Sequence, residues 1–226
     1  MKQNNVYLVD AYMCAMTSMA QVVAIEGTLL SVFMQDNIFH PKGGGQPSDS
    51  GAIDGNPVID VIARRVGVRT EVFVVCHAAG TLKPGQMQVS CRLDKARRRE
   101  VMALHTAGHL VSAAGQALGL SYSSCNHRPG QASVEFDMTG SIGIDKETIY
   151  AFIDDFVMDA VRDNHPVVIR TGSSGGREVE IGRLCSDGCG GTHVAHTAEI
   201  GSFEIRSVRL KGEKVRVGYR ASYIGA

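Results

Sequence analysis

Asp94-Lys-Ala-Arg-Arg-Arg-Glu-Val-Met-Ala-Leu-His105-Thr-Ala-Gly-His109-Leu-Val-Ser-Ala-Ala-Gly-Gln-Ala-Leu118 divides the chain in two. Its apolar residues Val101, Leu104, Ala107, Val111, Ala114 and Leu118 recur three and four positions apart, the period of one helix face. Asp94 stands where a side chain can accept the free N–H groups of a first turn. The stretch therefore predicts a helix from Asp94 to about Leu118. Upstream of it the pattern is β. Ala20–Ile25, Thr28–Met34, Val58–Ala63, Thr70–Cys76 and Gln86–Cys91 are short, rich in Val and Ile, and bounded by Gly, Pro, Asn or Asp. Between them, Pro41-Lys-Gly-Gly-Gly-Gln-Pro-Ser-Asp-Ser-Gly51 is a loop that no regular element would tolerate. Many short strands with turn signals suggest a small barrel.

Downstream the elements mix. Ala132–Met138 reads as a strand. Asp145 can cap a helix to about Asp163, with Ile149, Phe152, Ile153, Phe156, Val157, Ala160 and Val161 on one face and Pro166 marking its end. Val167–Thr171 reads as a strand, and Lys211-Gly212-Glu213 as the turn of a hairpin between Ser202–Leu210 and Lys214–Ala221. The expected organisation is α+β, with a β-barrel domain over residues 1–91 and a second domain over residues 92–226.

Composition narrows the function classes. The chain has 226 residues, 44% of them apolar, and 23 basic residues against 23 acidic ones. A disordered chain needs low hydrophobicity and high net charge, so that class is excluded. So is a bulk-basic nucleic-acid coat. Contact with RNA would need local patches, and two exist: Arg92, Lys95, Arg97, Arg98 and Arg99, then Arg206, Arg209, Lys211, Lys214, Arg216 and Arg220. No apolar run is long enough to span a bilayer. Ala11 to Ile25 is interrupted by Thr17, Ser18 and Gln21 and reads as a folded segment, not a signal peptide, so the expectation is a cytoplasmic protein without membrane contact.

Two short motifs carry chemistry. His105-Thr-Ala-Gly-His109 places two imidazoles four apart on one helix face, where both can reach one ion. Cys189-Gly-Gly-Thr-His193 adds a thiol and a third imidazole in a loop whose glycines let the backbone wind tightly. Three histidines and a cysteine from segments far apart in sequence form a zinc-type donor set. His196 and Cys185 compete as ligands because each lies close to the second motif. His40, His77, His127 and His165 read as surface or packed histidines. Cys14, Cys76, Cys91 and Cys125 read as small buried hydrophobes. The glycines at 43–45 lack the Lys-Ser/Thr of a phosphate-binding P-loop, which argues against nucleoside triphosphates.

His105-x3-His109 together with Cys189-Gly-Gly-Thr-His193-Val194 resembles the zinc signature of the alanyl-tRNA synthetase editing domain and of its free-standing relatives, the AlaX trans-editing proteins. The resemblance continues through Arg99 and through Thr197-Ala-Glu-Ile-Gly-Ser-Phe-Glu-Ile205. It extends to Ile38-Phe-His-Pro-Lys-Gly-Gly-Gly-Gln-Pro-Ser-Asp-Ser-Gly51, which is similar to the glycine-rich motif of the longer AlaX class. This chain has His40 where the family usually has Tyr.

The resemblance implies an α+β fold whose zinc-bearing helix packs on an antiparallel sheet. It implies one Zn2+ held by His105, His109, Cys189 and His193, and a substrate cleft shaped by Gly43, Gly44, Gly45 and Gln46. The activity it implies is hydrolysis of mischarged tRNA(Ala), with the acceptor end carrying Ser and also Gly, by a factor working in trans, since no aminoacylation domain is visible in the chain. A polar group that needs the serine hydroxyl would penalise alanine, and Thr106, Asn126 and Thr192 are the candidates for it. No Glu lies within His105–His109, so a helix carboxylate base of the zincin type is absent, and a hydroxyl of the terminal ribose is a candidate base. Two other readings stay open: a tRNA-binding module with a purely structural zinc, and a zinc hydrolase acting on another ester.

Overall fold

Alternation of buried and exposed residues builds the first half. Along Arg69–His77 the side chains of Val72, Val74 and Cys76 are buried, and along Gly85–Leu93 those of Val89, Cys91 and Leu93 are. A period of two with one apolar face is what a strand needs to cover a core. The computed structural model describes residues 2–67, 69–79, 82–138, 143–172 and 176–225. Its first six main strands are β1 (Ala15–Glu26), β2 (Leu29–Met34), β3 (Gly51–Ile53), β4 (Asn56–Val66), β5 (Arg69–His77) and β6 (Gly85–Leu93). They close into a barrel in the order β1-β2-β5-β4-β3-β6. Met34, Ile38, Phe39, Ile53, Val61, Val74 and Val89 fill it. The segment from Ala11 to Ile25 is mostly β1, so its apolar residues belong to a sheet.

Helix α1 (Lys95–Ala117) follows, one residue inside the predicted limits at each end. Asp94 accepts from the Arg97 N–H at 3.1 Å, the cap that its position suggested. Eight consecutive residues, Val101 to Gly108, are buried, so the middle of the helix is enclosed on every side while its first two residues are exposed. Next come β7 (Ser121–Asn126), β8 (Ser133–Asp137), α2 (Lys146–Arg162), β9 (Val167–Thr171), β10 (Arg177–Ile181), β11 (Cys185–Gly188), β12 (Ile200–Lys211) and β13 (Lys214–Tyr223). One antiparallel sheet has the order β12-β13-β8-β7 and another the order β9-β10-β11. Helix α1 packs on the first of these. The Tyr219 hydroxyl of β13 donates to the Leu104 carbonyl, and the Phe136 ring of β8 sits where a Cβ at Gly115 would be. Helix α2 is capped by Asp145, which accepts from the Thr148 N–H at 2.7 Å, and buries Ile149, Ile153, Val157 and Ala160.

The chain divides into two compact units. One holds the residues up to Gly43 and Pro47–Arg98; the other holds Gly44–Gln46 and the residues from Arg99 onward. The glycine-rich loop is thus shared: Gly43 belongs to the first unit, Gly44, Gly45 and Gln46 to the second. Among the described residues no helix is long and apolar enough to cross a membrane.

Candidate metal centre

The second unit brings the two motifs together. His105 and His109 lie one turn apart on α1 with ring centroids 5.2 Å from each other. Cys189 and His193 come from the loop that follows β11. One donor atom from each of the four residues lies within 4.8 Å of all the others. The Cys189 Sγ is 3.5 Å from His105 Nε2 and 3.3 Å from His193 Nε2. The loop comes this close because Gly191 has no Cβ; a methyl there would strike the His105 ring. Cys185 and His196 stay outside the cluster. Burial pushes the Cys185 thiol up to about 12, so it remains protonated.

Each imidazole is anchored through Nδ1. His105 Nδ1 is 2.8 Å from Gln46 Oε1, His109 Nδ1 is 2.8 Å from Asp187 Oδ2, and His193 Nδ1 is 3.3 Å from Thr106 Oγ1. Gln46 Oε1 also accepts the Thr192 N–H, and Gln46 Nε2 donates to the Thr192 hydroxyl. Its amide is thereby oriented to accept from His105. Nδ1 of both His105 and His109 is then the protonated nitrogen, and Nε2 is left as a lone pair for an ion. His109 Nε2 is buried with no hydrogen-bond partner among the described residues. A buried polar atom left without a partner is costly unless something absent from the protein itself pairs with it. The donor set and this orphan fit a metal ion.

The electrostatics favour a thiolate there. Burial raises the Cys189 thiol, but His109, the Gly191 N–H and the Arg177 guanidinium outweigh it and hold the group below its ordinary value. Arg177 also donates to the Cys189 carbonyl. Burial lowers the His109 pKa, while Asp187 and the neighbouring Cys189 raise it further, to about 9. In the metal-free chain a proton therefore occupies part of the place of the ion.

A cavity of about 200 Å³ opens beside the cluster, lined by His109, Ser112, Tyr122, Cys125, His127 and Asp187 among others. The substrate candidates from the sequence lie elsewhere. Gln46, Thr106 and Thr192 belong to the network that anchors the imidazoles. The Gly45 carbonyl accepts from the His127 N–H, and the Gly44 carbonyl from the Cys125 thiol. The Asn126 side chain accepts from the Arg128 N–H. Gly43, in the first unit, faces open space. None of the seven is part of the cavity lining. His127 is a packed histidine, as read from the sequence, but it packs on His105 itself, with ring centroids 4.3 Å apart. Burial, with the charge of His109, pushes it down to about 3. Asp187 and Ser112 were not singled out by the sequence. Asp187 had one available signal, its place two residues before Cys189.

Arg98 needs a correction. It was grouped with the surface bases, but it is 1% exposed and donates to Asp49 and to the Ala11 and Ile38 carbonyls. It makes no phosphate contact from there. Arg99 stacks over the Tyr223 ring at 4.9 Å.

Residues 177–220 match the family described as threonyl and alanyl tRNA synthetase second additional domain, a segment that contains Cys189 and His193. The chain is also similar to the alanine–tRNA ligase of Halobacterium salinarum, 34% identical over 209 residues that cover 83% of this chain and 21% of that protein. The corresponding protein of a Thermotoga species is 32% identical over 219 residues, covering 85% and 24%. That of Prochlorococcus marinus is 29% identical over 210 residues, covering 81% and 23%. The chain thus spans 21% to 24% of the length of these relatives.

Proposed function

We propose that the chain, whose residues 177–220 match the threonyl and alanyl tRNA synthetase second additional domain and which is similar to part of alanine–tRNA ligases, is a zinc-dependent hydrolase that deacylates mischarged tRNA(Ala), chiefly Ser-tRNA(Ala) and also Gly-tRNA(Ala), acting in trans in the cytoplasm. The observation that carries this reading is the convergence of His105, His109, Cys189 and His193 within 4.8 Å beside a cavity. These four residues would hold one Zn2+. With bonds of about 2.0–2.1 Å to nitrogen and 2.3 Å to sulfur, a tetrahedral shell puts the two donors about 3.6 Å apart. The sulfur-to-nitrogen separations of 3.3 and 3.5 Å are close to that.

Zinc bound there supplies positive charge to stabilise the oxyanion of an ester under attack. The residues of the chain do the rest. Gln46, Asp187 and Thr106 hold the imidazoles in one orientation. The cavity takes the amino acid and limits its size. The four side chains would take up the places around such an ion, which leaves the attacking water to be held by other groups. The hydroxyl next to the ester on the terminal ribose is the one that every aminoacyl-tRNA brings with it, and it serves as that group in this reading.

Incubating zinc-loaded protein with Ser-, Gly- and Ala-tRNA(Ala) tests the reading. Release of serine and glycine with alanyl-tRNA(Ala) spared is the expected result; equal inertness towards all three would reject it. Substrate ending in a ribose without the neighbouring hydroxyl should be cleaved far more slowly, and an unchanged rate would remove the ribose from the mechanism.

A further inference from the structure

His127 lies beside the metal cluster and takes no part in it. His127 is 3% exposed, and its ring lies flat against His105 with the two planes 24° apart. Its backbone N–H donates to the Gly45 carbonyl at 2.9 Å. Its Nδ1 is 2.9 Å from the Tyr219 hydroxyl oxygen, and that hydroxyl is 3.0 Å from the Leu104 carbonyl.

A phenol has a single hydrogen, and a carbonyl only accepts. The Tyr219 hydrogen therefore goes to Leu104, and its oxygen can only accept from His127. This places the ring hydrogen of His127 on Nδ1 and leaves Nε2 as a lone pair. His127 also lines the cavity. Since Nδ1 is committed to Tyr219, the atom left for a ligand in the cavity is Nε2, a fixed acceptor. Ser112, on the same lining, is a different kind of group. It already accepts from Gln116 at 3.1 Å, and its rotatable hydroxyl can donate or accept, so it discriminates poorly.

The geometry points to His127 as the residue that reads the side-chain hydroxyl of the bound amino acid, with Nε2 accepting the serine O–H. This assignment rests on the deacylase reading above and names its specificity element. A seryl group satisfies Nε2. An alanyl methyl expels water from the cavity and leaves the acceptor unpaired, which is where rejection of a close isostere becomes strong. A glycyl group is small enough to leave a water on Nε2. His127 thus favours serine over alanine without disfavouring glycine. Tyr219 is a positioning residue that acts through it by fixing the tautomer.

The test compares rates on Ser- and Gly-tRNA(Ala) for zinc-loaded wild type, His127→Phe and Tyr219→Phe, with zinc content and melting temperature measured on each. His127→Phe keeps a flat ring against His105 and removes both nitrogens. The ratio of serine to glycine rates should fall about tenfold or more. Tyr219→Phe frees the imidazole to move its hydrogen to Nε2, and the ratio should fall by a smaller factor in the same direction. Equal losses on both substrates would overturn the assignment, because His127 would then act on a part they share. So would an unchanged ratio in a His127→Phe protein that still binds zinc. Should His127→Phe fail to fold, Tyr219→Phe decides, and an unchanged ratio there overturns the assignment. A wild type that cleaves neither substrate overturns the deacylase reading and this assignment with it; an active wild type whose serine preference survives the substitutions overturns this assignment alone.

Discussion

Arg98 and His109 stand on one helix, eleven positions apart, and each is the centre of a buried polar cluster. In the barrel unit, Arg98 donates to both oxygens of Asp49 and to two backbone carbonyls, with Nε to Asp49 Oδ1 at 2.9 Å. Charge and hydrogen-bonding capacity are matched within the protein. In the other unit His109 has Asp187 on Nδ1 and no partner on its buried Nε2. Three further donors point to the same place. The contrast separates two uses of buried polarity. A cluster that satisfies itself holds the fold together, whereas one that stops a single partner short marks where a ligand completes it.

The largest effect expected from this contrast is on stability in the barrel. Arg98→Ala would leave Asp49, itself 6% exposed, as an unpaired buried carboxylate. Breaking a buried pair by removing one partner costs about 3–5 kcal/mol, so the barrel should lose most of its stability towards urea. A cost under about 1 kcal/mol would mean that water reaches the pair and that the cluster is not closed as described.

Asp187→Ala is the matching experiment in the metal unit, and its signature is different. Losing the carboxylate behind a metal-bound histidine weakens metal binding about 10- to 100-fold. Metal-free protein should melt below the wild type at neutral pH, because Asp187 helps to hold the proton on His109, and nearly as the wild type does above about pH 9. A variant that binds zinc normally in a competition assay would show that His109 needs no support. The pH dependence has a definite sign. The folded-state pKa of His109 is raised from 6.5 to about 9, so its proton stabilises the metal-free fold below about 6.5, and that stability is lost as pH rises through about 9. Zinc displaces this proton, hence zinc affinity should rise with pH over the same window. Asp187→Ala should move that rise to lower pH, read by zinc competition at several pH values.

The same contrast explains what was legible in the sequence. Five of the six barrel strands were, because residues such as Val72, Val74 and Cys76 alternate as one face of a buried sheet demands. Helix α1 was legible from its period and its Asp94 cap, and the residues of the His/Cys cluster from residue type and spacing. Four strands were not: Gly51–Ile53 is only three residues long and opens at the end of the glycine-rich loop. Ser121–Asn126 is nearly all polar, Arg177–Ile181 alternates with charges, and Cys185–Gly188 has poor strand formers. Each is held in place by a neighbouring strand, and context overrides propensity in sheets. The supporting residues were hidden for a similar reason. What Arg98 or His127 does depends on Asp49 and Tyr219, which are 49 and 92 positions away and carry no local signal. The Gln46, Thr106 and Thr192 side chains were singled out as substrate contacts. They have polar groups of the right kind, but the structure uses those groups to anchor His105 and His193.

The smallest expected effect lies on the β12–β13 hairpin, where the second basic patch of the sequence is exposed. Arg220 is 3.6 Å from Glu204, and Arg216 is 3.7 Å from Glu135, with all four side chains at least a third exposed. Long, solvated pairs of this kind contribute less than about 0.5 kcal/mol, because side-chain entropy and salt screening offset the attraction. Arg220→Ala should therefore leave the melting temperature within about a degree of wild type, far from the outcome at Arg98. Its effect on RNA binding is a separate question with a separate readout. If Arg220 neutralises a phosphate of bound tRNA, its loss weakens binding of every tRNA alike and reduces the slope of log affinity against log salt by about one. An unchanged slope would assign Arg220 to the solvated surface, together with the glutamate it faces. A fall in stability as large as that of Arg98→Ala would show instead that exposure is a poor guide to which charges this fold depends on.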